Sequence, residues 1–349
     1  MQYTKPKQLQ KGDIIGVVSP SWGGPGTFPH IYENGLKVLR ELGFQIKEFP
    51  NARSDADFLW KNPETRAKDL NAAFADPEVK GIIASIGGDD SIRILPFLDK
   101  ELIQKNPKFF MGYSDTTTIH ILCNQLGLAT FYGPSVMAGF SQMESLPREF
   151  TEHIGEFLFE QFSSYQYRPY SSYCDGYPDW KNKENTGKVN QLKETKGWRW
   201  LQGDAKVQGE LVGGCIEVLE MMKATDFWPL QDFWKGKVLF LETSEEKPPI
   251  HYVGHVLRNY GMLGVFDRIN GFIFSRARDY SDAEKTELEE KIVSIVAKEF
   301  GKLNLPIIAN FDVGHTDPQL VLPLGVKTEI DCDKKTVRLL ESPYAFFQE

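Results

Sequence analysis

Gly81-Ile82-Ile83-Ala84-Ser85-Ile86-Gly87-Gly88-Asp89-Asp90 is an apolar run without alternation that stops on two glycines and two carboxylates. A strand apolar on both faces must be covered on both faces, the condition of a parallel sheet between helices. The same pattern recurs on either side. Asp13–Ser19 (DIIGVVS), Phe44–Phe49 and Phe109–Tyr113 read as further strands. Between them lie helical spacings: Leu36, Leu39 and Leu42; then Ala67, Leu70 and Phe74 after Pro63; then Asp115–Leu126. The alternation predicts an α/β domain over residues 1–164.

The texture changes near Gln161. Residues 165–204 are rich in Tyr, Trp, Lys, Asn and Gly, show little periodicity and carry Trp180, Trp198 and Trp200. They read as a linker with an aromatic insertion, either a binding loop or a solvated connection. Order returns over 205–349, expected to be a smaller mixed α/β domain. Its strands are Val207–Val212, Lys237–Leu241 and Ile269–Phe274, its helices Cys215–Met222, Ile250–Tyr260 and Ser281–Phe300, followed by short strands and turns.

Forty basic against 48 acidic residues in 349 make the chain mildly acidic, which argues against nucleic acid or an anionic membrane as partner. The polar start has no apolar segment of a secretory signal, and no run is long enough to span a bilayer. Cys123, Cys174, Cys215 and Cys332 are dispersed without a C-x-x-C pair, and Cys123 and Cys215 fall in apolar helical patterns as reduced core thiols. Together these features point to the cytoplasm.

Chemistry concentrates at strand ends. In Met111-Gly112-Tyr113-Ser114-Asp115-Thr116-Thr117 an apolar strand turns into a helix at Ser114. Two readings stand: an exposed nucleophile with helix amides behind it, or a helix cap formed by Ser114 or Asp115. The Gly87-Gly88 loop ends the neighbouring strand, where paired glycines admit an oxyanion to backbone N–H groups or simply make a tight turn. It matches neither the dinucleotide fingerprint nor the phosphate-binding loop.

A serine nucleophile requires a base and an acid that orients it. Among six histidines, His30 and His153 read as surface-like, and His120 lies beyond the turn. His251 and His255 are spaced like metal ligands but lack the glutamate of H-E-x-x-H and a third ligand, so no metal is expected. His315 follows a strand in Asn310-Phe311-Asp312-Val313-Gly314-His315-Thr316-Asp317-Pro318, a loop shaped by Gly314 and Pro318. Glu242 ends the apolar Val238-Leu239-Phe240-Leu241, where a carboxylate needs a partner. A solvated strand end and an ordinary loop histidine are the competing readings. Arg276 and Arg278 read either as anion binders or as surface charges.

With these residues in order, the chain resembles the LD-carboxypeptidase family of serine peptidases, which includes the microcin C self-immunity hydrolases. The resemblance rests on Gly12-Asp13-Ile14-Ile15-Gly16-Val17-Val18-Ser19-Pro20, Ile86-Gly87-Gly88, Gly112-Tyr113-Ser114-Asp115 and Tyr132-Gly133-Pro134. It continues through Gly209-Glu210-Leu211-Val212-Gly213-Gly214-Cys215, Phe240-Leu241-Glu242-Thr243 and Gly314-His315-Thr316. It implies a Ser-Glu-His triad of Ser114, Glu242 and His315, and an oxyanion hole from the Gly88 and Asp115 amides. It further implies a flavodoxin-like N-terminal domain, a smaller C-terminal domain, a site between them, no cofactor and a homodimer.

The 165–204 insertion favours the branch that hydrolyses the amide of a peptidyl- or aminoacyl-nucleotide, with Gly87, Trp180, Trp198 and Trp200 at the substrate. Removal of D-alanine from a murein tetrapeptide is the alternative. A nucleotide-dependent oxidoreductase and a non-catalytic sensor of cell-wall fragments are the rivals from other classes.

Overall fold

The structure, a computed structural model, describes residues 3–345. Five of the six strands of the first sheet come from the first part of the chain: β1 (Ile14–Val18), β2 (Gln45–Glu48), β3 (Val79–Ala84), β4 (Phe109–Gly112) and β5 (Thr130–Tyr132). They run parallel in the order β2-β1-β3-β4-β5, the flavodoxin-like arrangement. The absence of alternation in β3 has its explanation here. Ile83 faces a core with Val17, Leu36 and Leu39, while Ile82 faces another with Val18, Leu70 and Phe74. The covering helices Pro29–Glu41 and Pro63–Ala75 both start on proline, where a missing N–H leaves no hydrogen bond unmade.

Further along the chain come β6 (Tyr165–Gln166), β7 (Ser172–Tyr173), β8 (Lys193–Glu194), β9 (Arg199–Gln202), β10 (Lys206–Cys215) and β11 (Val238–Glu242). They are followed by β12 (Gly271–Ser275), β13 (Ile307–Phe311), β14 (Leu322–Leu324), β15 (Lys327–Asp331) and β16 (Thr336–Leu339). The second sheet is mixed, in the order β6-β16-β15-β10-β11-β12-β13-β9, with β10 to β13 parallel. Two features depart from the sequence reading. The stretch 165–204 is not irregular throughout, since β6 and β9 form the two edges of this sheet and β7 pairs with β8 in a hairpin. β14, from the C-terminal part, leaves its neighbours and pairs antiparallel with β5, closing the edge of the first sheet.

The helix expected over 281–300 is α-helical only over Asp282–Val293, after a capping box of Ser281 and Glu284, and widens to a π-turn over Ser294–Glu299. All four cysteines are free and buried. Among the described residues no helix is long and apolar enough to cross a membrane.

Candidate active site

The loops after β1, β3 and β4 meet at the carboxyl ends of their strands, beside the point where strand order reverses between β1 and β3. Ser114 ends the turn after β4 with φ of 60°, the left-handed region that a residue with a Cβ enters only against steric resistance. Its amide donates to the Tyr132 hydroxyl at 2.9 Å, and its carbonyl accepts from Thr117 Oγ1 at 2.7 Å. The side chain is left pointing into a cleft. Gly87 passes so close that a Cβ there would stand 2.9 Å from Ser114 Cβ and 3.0 Å from its Oγ, so the residue must be glycine. No acceptor for the Gly88 or Asp115 amide is found among the described residues.

Asp115 does not cap its own helix. Its buried carboxylate accepts from Ser21 Oγ and from the amides of Asp90 (3.1 Å) and Ser91 (2.7 Å), while Ser91 Oγ donates to its carbonyl at 2.7 Å. The residue after the serine thus fastens the Gly87-Gly88 loop to the serine's own turn. Asp90 is held from the other side by the buried Arg66 guanidinium, at 2.6 and 3.0 Å.

β11 and the loop after β13 bring two more groups to Ser114. His315 Nε2 lies 3.0 Å from Ser114 Oγ, and His315 Nδ1 lies 2.7 Å from Glu242 Oε2. Glu242 is fully buried, and its other oxygen accepts from the Tyr132 hydroxyl at 2.6 Å. Gly314, at φ 89°, packs against the Glu242 carboxylate where any Cβ would collide with it. Burial pushes the Glu242 carboxyl up from its ordinary range and the His315 bond opposes that push. For His315, burial pulls its pKa down, but the carboxylates of Glu242 and Glu245 outweigh this and raise it to about 10.

Glu245 is the unexpected member. Its Oε2 lies 2.9 Å from His315 Nε2, the same nitrogen that faces Ser114. Partial desolvation in the cleft raises the Glu245 carboxyl, but the His315 contact, its own amide and the nearby Arg278 outweigh that and lower it to about 2. One Nε2–H cannot serve both neighbours fully, and an Nε2 that carries a proton for Glu245 has no lone pair for Ser114.

Trp22, Gly88, Asp89, Tyr177, Trp180 and Arg278 line the rest of a cleft of about 310 Å³ around Ser114 and His315. Trp180 stacks on Tyr177 with centroids 5.5 Å apart and planes at 20°, and the Tyr177 hydroxyl donates to Asp317 at 2.6 Å. Trp198 and Trp200, expected at the substrate, do not line this cleft. Trp198 lies on Phe311 at 4.3 Å and donates from Nε1 to Asp312 at 2.7 Å, while Trp200 pairs with Ile308 across the edge of the second sheet.

Arg276 and Arg278 divide in the same way. Arg276 is buried 2.6 Å from Asp312, behind the His315 loop, and Arg278 faces the cleft. His153, read as surface-like, is buried, and its Nε2 accepts from the Val321 amide at 2.8 Å. His251 and His255 face each other on an exposed helix side, with ring centroids 5.8 Å apart. Among the described residues no three metal-ligating side chains cluster.

The sequence matches a known family along most of its length. The family model of the LD-carboxypeptidase N-terminal domain matches residues 15–133, and that of the C-terminal domain matches 208–330. The chain belongs to the LD-carboxypeptidase family. It is therefore an enzyme of the carboxypeptidase class, a hydrolase of peptide-type bonds.

Within the family it is 30% identical to the microcin C7 self-immunity protein MccF of Escherichia coli, over 95% of this chain and 94% of that one. It is 28% identical to a probable murein peptide carboxypeptidase of Bacillus subtilis, over 95% and 93%. Among solved structures, MccF in complex with aspartyl sulfamoyl adenosine aligns with a TM-score of 0.85 and 28% identity, covering 98% of this chain and 99% of that one. An MccF-like protein from Streptococcus pneumoniae with AMP bound aligns with a TM-score of 0.84 and 30% identity, covering 94% and 98%.

Proposed function

We propose that the protein is a serine amidohydrolase that cleaves the amide of an aminoacyl- or peptidyl-nucleotide of the microcin C type, a detoxifying reaction. The observation that carries this reading is the pairing, in one cleft, of the Ser114–His315–Glu242 chain with the stacked Tyr177 and Trp180. A nucleobase stacked on an aromatic face gains about 1–3 kcal/mol in nucleic-acid systems, and Trp180 offers such a face here. The aminoacyl sulfamoyl nucleotides bound by MccF support the same substrate class.

In this mechanism His315 Nε2 takes the Ser114 proton and Oγ attacks the scissile carbonyl. The amides of Gly88 and Asp115 receive the oxyanion, and Gly87 leaves room for it. Glu242 orients the imidazole and balances its charge. Collapse breaks the C–N bond as His315 returns the proton to the leaving nitrogen. Water, deprotonated by His315, then releases the acyl group from Ser114. Action in the cytoplasm and assembly as a homodimer belong to the same proposal.

The second reading is removal of the terminal residue of a murein tetrapeptide, favoured by the Bacillus relative and by Arg278 in the cleft, a cation suited to a terminal carboxylate. Purified protein is assayed on an L,D-tetrapeptide and on an aminoacyl sulfamoyl adenosine, with Ser114→Ala as control. Hydrolysis of the nucleotide that is lost in Ser114→Ala is expected. Hydrolysis of the tetrapeptide alone selects the second reading, and full activity of Ser114→Ala rejects the nucleophile.

A further inference from the structure

We infer that Glu245 is a specificity-determining residue. It binds a free ammonium group next to the scissile carbonyl, and binding that ammonium draws its carboxylate away from His315. The inference rests on the proposed function, which it narrows from aminoacyl- and peptidyl-nucleotides to those whose α-amine is unacylated.

Three observations carry it. Glu245 Oε2 sits 2.9 Å from His315 Nε2, in the space through which Ser114 and its base must exchange a proton. Unlike Glu242, Glu245 is loosely held: its side chain is 55% exposed, His315 is its only ion-pair partner among the described residues, and otherwise only its own backbone amide and the charge of Arg278 act on its carboxylate. Asp89 and Glu246 line the same cleft, so its wall near His315 is anionic, with Arg278 the only cation among the lining side chains besides the imidazole.

The reach fits. An α-nitrogen stands two bonds from the acyl carbon, about 2.5 Å away. When that carbon meets Ser114 Oγ, the α-nitrogen falls within hydrogen-bonding range of a carboxylate placed beside Nε2. A protonated amine there makes a charge-assisted bond to Glu245, whereas an amide nitrogen brings one N–H and no charge.

The two tasks of Glu245 are linked. In the free enzyme the imidazole lies between two carboxylates and retains its Nε2 proton, an arrangement that stores the base in an inactive form. A substrate ammonium satisfies Glu245, the Nε2 proton leaves to solvent, and the freed lone pair accepts the Ser114 proton. A murein tetrapeptide, whose acyl donor carries an acylated α-nitrogen, cannot make this exchange.

The test compares wild type and Glu245→Gln on alanyl sulfamoyl adenosine and on its N-acetyl derivative. Wild type is expected to favour the free amine by at least about tenfold in kcat/KM. In Glu245→Gln that preference disappears: KM for the free amine rises, and kcat on the acetylated substrate also rises, because Nε2 is no longer held protonated. A residue that only supported the loop would lower both substrates by one factor, and that result overturns the inference, as does a wild type indifferent to acetylation. Alanine p-nitroanilide and its N-acetyl form repeat the comparison without a nucleotide. An amine preference on the anilides with no hydrolysis of either adenosine adduct rejects the nucleotide reading alone. Equal rates on the two anilides reject the inference alone, and hydrolysis of none of the four rejects both.

Discussion

The two edges of the His315 ring meet very different surroundings. On the Nδ1 edge everything is buried and held: Glu242 is closed in by Gly314 and tied to Tyr132, which also receives the Ser114 amide. On the Nε2 edge lie the cleft, the serine and a half-exposed glutamate held, apart from His315, only by its own amide and the charge of Arg278. Both edges face a carboxylate at nearly the same distance, 2.7 and 2.9 Å. Distance therefore does not distinguish a fixed partner from a releasable one. Burial and the number of other bonds on the carboxylate do.

The sharpest way to break this contrast is to remove the fixed partner. Glu242→Gln keeps the shape but not the charge, and kcat is expected to fall about 10³–10⁴-fold, by analogy with the loss of the orienting acid in serine proteases. A fall below tenfold would mean that the Nδ1 edge needs no carboxylate. Tyr132→Phe leaves one Glu242 oxygen without its buried donor and the Ser114 amide without its acceptor. A loss of about 10–100-fold in kcat is expected, with KM little changed, because the substrate cleft is untouched.

The releasable edge is sharpened by pH. In the proposed mechanism His315 must lose its proton to act as base, and its pKa is raised to about 10, so kcat/KM should climb as pH rises above neutrality. Glu242, Glu245, Asp317 and Tyr113 face the ring, and only Glu245 is exposed enough to be altered without opening the core. In Glu245→Gln one of the two causes of the raised pKa is gone, so the rising limb should move to lower pH. An unmoved limb would assign the shift to Glu242 alone.

The smallest effect concerns the serine's backbone. Ser114→Gly removes the penalty of the left-handed conformation, about 1–2 kcal/mol, against the extra chain entropy of glycine, about 0.5–1 kcal/mol. The variant should melt about 1 °C higher, read by calorimetry. A lower melting temperature would show that the turn is not strained.

What was legible in the sequence was whatever ends an apolar strand. Ser114, Glu242 and His315 each close or follow an apolar run whose burial fixes where the strand stops, but each also has an ordinary reading, and their grouping was implied by the family resemblance alone. Groups that act sideways were not legible. Tyr132 lies in an apolar strand, and nothing local reveals that its hydroxyl joins Ser114 to Glu242. Glu245 stands among solvated loop residues, and Asp115 had two plausible tasks of which neither was tying down the glycine loop. The tryptophans divide for a related reason. Composition marks Trp180 and Trp198 alike, but only the chain's return places one beside the cleft and the other on Phe311. Likewise β6 and β9 are short edge strands, whose pairing is decided by distant partners rather than by their own periodicity.

The pairing of Leu322–Leu324 with Thr130–Tyr132 joins residues almost two hundred positions apart. Until that segment is synthesised, β5 is an open edge on the growing chain, able to template association with other nascent copies. The segment that covers it begins only seven residues after His315, and β5 ends on Tyr132. The segment that seals the edge and the loop that carries the imidazole are thus neighbours in the chain, and a chain stopped before residue 322 would leave β5 open. Such an arrangement ties the His315 loop to the closing of the first sheet: the stretch of chain that brings the imidazole to Ser114 runs directly into the strand that covers β5.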